Sequence, residues 1–352
     1  MPEPTSPAWP EPRPYDHDAE QAARAHLDGL AKPPGSLGKL EHVAAWWCGA
    51  TGRFPPMSPA RARAYIFAAD HGVASDEAAA GISRYPQSTT AQMVALFRAG
   101  GGAVNATCEH YGVGLTVVDV GVRTPSPSAS AQASSFLAQR VRPGTADFRT
   151  GPAMTGHDAE NAVRIGIACA ETARADGVEV LCAGEMGIGN TTSAAAILAA
   201  IAAVPGKLSV GRGSGVDDAG IRRKIAAVDA AIALHQPARD DGIGVLSAVG
   251  GLEIAAIAGL CIGGAAFGVP VLLDGFASTA GALVAGVLVP ACVPHLLVAH
   301  RSAENGHWAM SRYLRREPVH DLDLCVGEGV GAVIAVDTIR LAVRLLTGMA
   351  RL

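Results

Sequence analysis

The sequence predicts an α/β protein built on a mainly parallel β-sheet flanked by helices, and three observations carry that prediction. Short apolar runs end in Asp or Gly: Ala64–Asp70 (AYIFAAD), Leu115–Gly121 (LTVVDVG), Val178–Gly184 (VEVLCAG) and Val269–Asp274 (VPVLLD). Longer Ala-rich segments of helical character lie between them, such as Asp158–Ala175 and Asp217–His235. Strands alternating with helices make βαβ units and a parallel sheet. The runs are apolar throughout rather than alternating, as in strands covered on both faces.

Right-handed crossovers bring ligands to the carboxyl ends of such strands, so the residues that follow each run matter most. They are Asp70-His71-Gly72, Asp119-Val120-Gly121, Gly184-Glu185 and Asp274-Gly275. Thr124–Thr150 has little periodicity and reads as an irregular excursion. Gln21–Cys48 reads as partly helical, interrupted at Lys32–Gly38.

Length and composition bound the rest. A chain of 352 residues suits one large domain with a smaller satellite. Charged residues are 17% of the chain, against about a quarter in typical domains, so much of its surface is buried. The formal net charge of −4 gives no basic footprint and argues against nucleic acid as a partner. Seven scattered cysteines without a C-x-x-C pair read as reduced thiols of a cytoplasmic protein. The opening MPEPTSPAWPEPRPYDHDAE has no basic, apolar leader character and is expected to be a Pro-rich disordered tail over residues 1–20. Ile254–Leu273 and Gly275–Val293 are long enough to cross a bilayer, which raises a polytopic membrane protein as a rival. They are Ala/Gly-rich, Asp274 separates them, and no Lys/Arg cluster or aromatic belt flanks them. A buried helix followed by a buried strand explains them better, in a soluble protein.

The chemistry concentrates in four segments. Gly184-Glu185-Met186-Gly187-Ile188-Gly189-Asn190-Thr191-Thr192 places glycines between a strand end and a helix start. A helix N-terminus there attracts a phosphate or carboxylate, with an ordinary N-cap as the competing reading. The order of glycines matches neither a Walker A loop nor a dinucleotide fingerprint. A second loop, Gly211–Gly215, precedes a helix with Arg222, Arg223 and Lys224, which either reach an anion or form a solvated basic face. Glu328 stands between Gly327 and Gly329, a position suited to a ligand-facing acid. His71, His300 and His307 lack the spacing of a metal site, so no metal is expected.

Together these segments resemble one family. KPPGSLGKLE (32–41), DHGV (70–73), YPQSTTAQM (85–93), VVDVGV (117–122), GEMGIGNTTSAAA (184–196), GRGSGVDDAG…K (211–224), LLDGF (272–276), HRSAENGH (300–307) and DL…VGEGVGA (323–332) occur in collinear order from about residue 20 onward. They resemble the signature blocks of the nicotinate-nucleotide:dimethylbenzimidazole phosphoribosyltransferases. The resemblance implies that nicotinate mononucleotide and 5,6-dimethylbenzimidazole, or a related base, give α-ribazole 5′-phosphate and nicotinate, a step toward the lower ligand of cobalamin. It implies a homodimer, a Rossmann-like large domain over residues 61–300, and a small helical domain drawn from 21–60 and 301–352.

By the same resemblance Glu328 is the general base and Glu185 an active-site carboxylate. Gly187, Gly189, Asn190, Thr191, Thr192, Lys224, Ser302 and Ala303 surround the phosphate. Ser83, Tyr85, Gln92 and Met186 line the base pocket. The stretch between His71 and Pro86 is longer than the family pattern, and Arg84 stands beside Tyr85. An azole loses its N–H as its other nitrogen attacks C1′, which calls for a carboxylate base. A second carboxylate beside the ribose stabilises oxocarbenium-like charge. The scheme needs no cofactor and no metal. The remaining alternative, an NAD(P)-dependent oxidoreductase, is disfavoured because no G-x-G-x-x-G follows the first strand.

Overall fold

The computed structural model describes residues 8–75, 81–124 and 136–351. In chain order the elements are α1 (His17–Asp28), α2 (Lys39–Thr51), β1 (Ala62–Ala69), α3 (Thr89–Arg98), α4 (Ala103–Tyr111), β2 (Gly114–Gly121), β3 (Phe136–Ala138), α5 (Gly156–Ala175), β4 (Val180–Met186) and α6 (Asn190–Ala202). They continue with α7 (Gly206–Ser209), α8 (Asp218–His235), α9 (Gly242–Val249), α10 (Leu252–Phe267), β5 (Val271–Leu273), α11 (Phe276–Leu288), β6 (Leu296–Val298), α12 (His307–Tyr313) and α13 (Val330–Gly348).

The strands form one six-stranded sheet in the order β3-β2-β1-β4-β5-β6, and every neighbouring pair is parallel. The chain winds outward from β1 to β2 and β3, then returns to lay β4 against β1 and winds outward the other way. The order reverses between β1 and β4, so ligands are expected beyond the carboxyl ends of those two strands. Strand alternation divides the core. Tyr65, Phe67 and Ala69 of β1 face a layer containing α5, α6 and α8 to α12. Ala62, Ala64, Ile66 and Ala68 face a layer made by α1 to α4 and α13.

The four strands read from sequence are all present; β3 and β6 are additional. Each has three residues, too few to show a pattern. β3 falls inside the stretch expected to be irregular, of which residues 125–135 lie outside the described residues. The helices of 21–60 pack with α13, but α3 and α4 share their layer, and α12 packs on the opposite face.

The N-terminal expectation needs correction, although residues 1–7 lie outside the described residues. Residues 8–16 run along the molecule as a strap, and α1 begins at His17. Arg13 N–H donates to Ala265 O at 3.1 Å, Trp9 packs on the core that holds Tyr65 and Phe67, and the Asp16 carboxylate caps α1. Tyr15 occupies the space that a Cβ on Gly49 would need, 2.4 Å away. Two aromatic rings among the prolines supply the apolar burial that composition alone hides.

The Ala/Gly-rich run Ile254–Leu273 forms most of α10 and then β5. Gly166 of α5 and Gly259 of α10 let the two helices cross backbone against backbone. A Cβ on Gly166 would lie 1.8 Å from Ala256 O, and one on Gly259 would lie 1.9 Å from Val163 O. Among the described residues no helix is long and apolar enough to cross a membrane. Because neither backbone can yield locally, Gly166→Ala is expected to cost roughly 3 kcal/mol or more, at the upper end of overpacking effects. The urea midpoint at constant m reads this directly, and a change below about 1 kcal/mol would refute the close crossing.

Candidate active site

Beyond β1 and β4 the structure opens a cavity of about 710 Å³. Its floor is the turn that joins β4 to α6. Gly189 adopts φ +100° there and starts α6, whose first residues Asn190 and Thr191 line the cavity. The N-terminal end of this helix presents positive potential to the cavity. Ile188 N–H is fixed by Thr90 Oγ1 at 3.1 Å, which ties the turn to α3.

Lys224, only 1% exposed, reaches this floor from α8. Its ammonium donates to Thr191 Oγ1 and to Gly211 O, each at 2.9 Å. One of its three protons is left for an anion in the cavity. Burial lowers its pKa, and the Glu304 carboxylate works against that shift. Gly213 closes over the pair: a Cβ there would lie 2.8 Å from Thr191 Oγ1 and 3.1 Å from Lys224 Nζ. Gly213 N–H donates to Glu304 Oε1 at 2.7 Å, which brings the 302–304 segment against the second glycine loop.

That segment rests on His307. Ser302 N–H donates to His307 Nδ1 at 3.1 Å, and His307 Nε2 lies 3.1 Å from Thr279 Oγ1. Accepting at Nδ1 requires a neutral imidazole protonated on Nε2, an assignment made from the hydrogen-bond network. Burial, then neighbouring His300, pushes its pKa down to about 4. His307 is a strut, and among the described residues no cluster of His, Cys, Asp or Glu is arranged to hold a metal.

The opposite wall is acidic. Asp274 directly follows β5 and is 1% exposed. Its Oδ2 accepts from Gly329 N–H and its Oδ1 from Ala332 N–H, both at 3.1 Å. This carboxylate caps α13 and pins the turn that carries Glu328. Gly327, Glu328 and Gly329 have φ of +67°, +65° and +86°. A left-handed Glu costs about 1–2 kcal/mol, and strain of this kind clusters at functional sites. Burial, then the Asp274 charge, raises the pKa of Glu328 to about 7. His300 Nε2 lies 3.6 Å from Asp274 Oδ1. Burial opposes protonation of His300, but the facing Asp274 carboxylate outweighs it and raises its pKa.

Glu185 ends β4 and abuts the same turn, since a Cβ on Gly327 would lie 2.9 Å from its Oε1. Asn190 Nδ2 donates to its other oxygen. Burial, then Glu253, Asp274 and Glu328, holds its carboxyl well above the usual carboxylate range.

The cavity brings together Glu185, Met186, Gly187, Gly189, Asn190 and Thr191 with Lys224, Ser302, Ala303 and Glu328. Ser83 and Tyr85 line its mouth, where Ser83 Oγ meets Ser214 Oγ at 3.2 Å. Arg84 extends toward Gly215 beside them. Two expected residues are elsewhere. Gln92 is exposed on the outer side of α3, and Thr192 is buried beneath the turn. The α3 residues that face inward are Thr89 and Met93, four apart on one helical face. Sequence reasoning also passed over Phe276, Glu304 and Cys325 as lining residues. Helical phase would have chosen Met93 over Gln92; nothing local marks Phe276.

A prediction follows from the raised Glu328 pKa. Between pH 4.5 and about 7 the folded state holds a proton there that the unfolded chain releases. Glu328 therefore destabilises the fold progressively as pH rises through that window. Glu328→Gln is expected to be more stable than the parent by roughly 1–3 kcal/mol at pH 8, with the difference vanishing below pH 4.5. Urea titrations at both pH values test this; a difference independent of pH would remove the carboxyl from its buried setting.

A family model described as phosphoribosyltransferase (DBI_PRT) matches residues 13–352. The chain is 45% identical over 339 residues to the nicotinate-nucleotide–dimethylbenzimidazole phosphoribosyltransferase of Chloroflexus aurantiacus J-10-fl, covering 96% of this chain and 93% of the relative. It is 42% identical over 337 residues to the protein of the same name from Geobacter sulfurreducens, covering 96% and 93%. The crystal structure of CobT from Thermus thermophilus superposes with a TM-score of 0.88 at 43% identity, covering 95% of this chain and 97% of that one.

Proposed function

Since this chain belongs to the nicotinate-nucleotide–dimethylbenzimidazole phosphoribosyltransferase family, we propose that it moves the phosphoribosyl group of nicotinate mononucleotide onto 5,6-dimethylbenzimidazole or a related base. The products are α-ribazole 5′-phosphate and nicotinate, for the lower ligand of cobalamin. The oxidoreductase alternative finds no support among the relatives.

One observation carries the assignment of roles: a lysine-braced glycine turn and a carboxyl poised near neutral pH share a single cavity. The 5′-phosphate lies against the Gly187–Thr191 turn, Lys224 and the Ser302–Ala303 segment. The base lies under Ser83, Tyr85, Met186 and Met93. Glu328 accepts the azole N–H proton as the other ring nitrogen forms its bond to C1′. The electron pair of the C1′–pyridinium bond returns to the nicotinate ring nitrogen and discharges its cation. Attack opposite the β-linked nicotinate inverts C1′ and yields the α-nucleotide. Burial and the neighbouring carboxylates favour the neutral form of Glu185, and an entering pyridinium draws it toward the charged form that stabilises positive charge at the ribose.

We also propose that the protein acts as a homodimer in the cytoplasm, with the α1, α2 and α13 layer as its small domain. Seven free cysteines, six of them buried, suit a reducing compartment.

Glu328→Gln is expected to lower turnover by at least about a hundredfold, the low end for a positioned general base. Parent kcat/KM for the base should fall about tenfold per pH unit below about 7, as Glu328 becomes protonated. Near-parent turnover in the folded variant would take the role from Glu328.

Lys224→Ala is expected to weaken nicotinate mononucleotide binding by roughly 1.5–3 kcal/mol, with nicotinate riboside largely spared. Equal losses on both would show that Lys224 does not meet the phosphate.

A further inference from the structure

Beneath the anion turn lies a pair that the proposed chemistry does not use. His71 Nε2 and Glu253 Oε1 are 2.7 Å apart, and both residues are completely buried. The turn is moulded around this imidazole. A Cβ on Gly187 would lie 3.2 Å from His71 Nε2, and one on Gly189 would lie 3.2 Å from His71 Cβ. On the far side, a Cβ on Gly251 would lie 2.4 Å from His71 Cε1 and 2.8 Å from each Glu253 oxygen. The backbone of His71 also reaches the base side, because its carbonyl accepts from Gln87 Nε2 at 2.8 Å just ahead of α3.

Resting on the function proposed above, we infer that His71 and Glu253 form a positioning pair that props the Gly187–Thr191 turn from below and so sets affinity for the nucleotide phosphate. A buried polar pair adds little net stability compared with apolar packing of the same volume. Stability alone gives no reason for polar side chains here, whereas contact with Gly187 and Gly189 does. Side-chain spacing in a binding turn matters because anion recognition by backbone amides depends on donor geometry to within a fraction of an ångström.

Glu253→Gln keeps shape and a hydrogen bond while removing charge; His71→Ala removes the prop, and His71→Gln returns an amide to the Nε2 position. His71→Ala is expected to raise KM for nicotinate mononucleotide at least about tenfold, while kcat and KM for dimethylbenzimidazole change less than about threefold. His71→Gln should restore most of the loss, and nicotinate riboside should lose clearly less than the nucleotide with each of the three changes. A lowered melting temperature with unchanged KM would reduce the pair to ordinary core structure and overturn the inference. So would equal losses on nucleotide and riboside. If His71→Ala does not fold, Glu253→Gln decides alone: at least about a threefold rise in KM supports the prop, and no rise removes it. Should the parent protein turn over neither substrate, the functional reading fails by itself. Calorimetry with inorganic phosphate on parent and Glu253→Gln protein then still reads the prop, and equal affinities overturn it.

Discussion

The carboxylate of Asp274 accepts from two backbone amides at the start of α13, and the architecture of the acidic wall hangs on that contact. It ties the Gly327–Gly329 turn, three successive left-handed residues, to the end of β5. The same carboxylate attracts His300 and raises the pKa of Glu328. One buried group thus fixes both where the proposed base stands and how strongly it holds a proton. The N-terminus of α13 and the His300 imidazole both face this carboxylate.

The cavity carries cationic and acidic groups together. Lys224 and the start of α6 line one part of it, Glu328 with Asp274 behind it lines another, and Glu185 is hydrogen-bonded to Asn190 between them. In a partly dry cleft such charges act with less screening than in water. A ligand with an anion at one end and a cation at the other aligns with this field before any close contact forms. Nicotinate mononucleotide, with its phosphate and pyridinium, has that charge distribution. Once the pyridinium nitrogen becomes neutral, the acidic side loses its attraction for the leaving group.

What the sequence made legible follows physical scale. Four strands stand out because residues buried on both faces leave long apolar runs, and the site motifs stand out because glycines bend chain where side chains would clash. β3 and β6 stay hidden at three residues each, below any periodicity. Gln92 draws attention by its polarity, yet the phase of α3 turns Met93 inward instead. Thr192 sits one residue past the part of the turn that meets the cavity. At the N-terminal strap, Pro-rich composition masks Trp9 and Tyr15, whose burial depends on partners some 150 and 30 residues away, Arg164 and Trp46. Asp274 is visible as a strand-end acid, but its grip on α13 is a long-range contact that no local pattern announces.

The placement of α13 has a consequence for biosynthesis. This helix is made after every strand, yet it packs against β4 and β5 and follows directly on the Glu328 turn. Chains emerge N-terminus first and their parts begin to fold as they appear. Until α13 arrives, Ile66, Cys182 and Leu272 present an uncovered apolar surface, while the Gly187–Thr191 turn already has its strands beside it. A nascent chain interrupted before that point therefore exposes apolar surface and lacks the proposed base. Completion of the surface and arrival of the proposed base are one event.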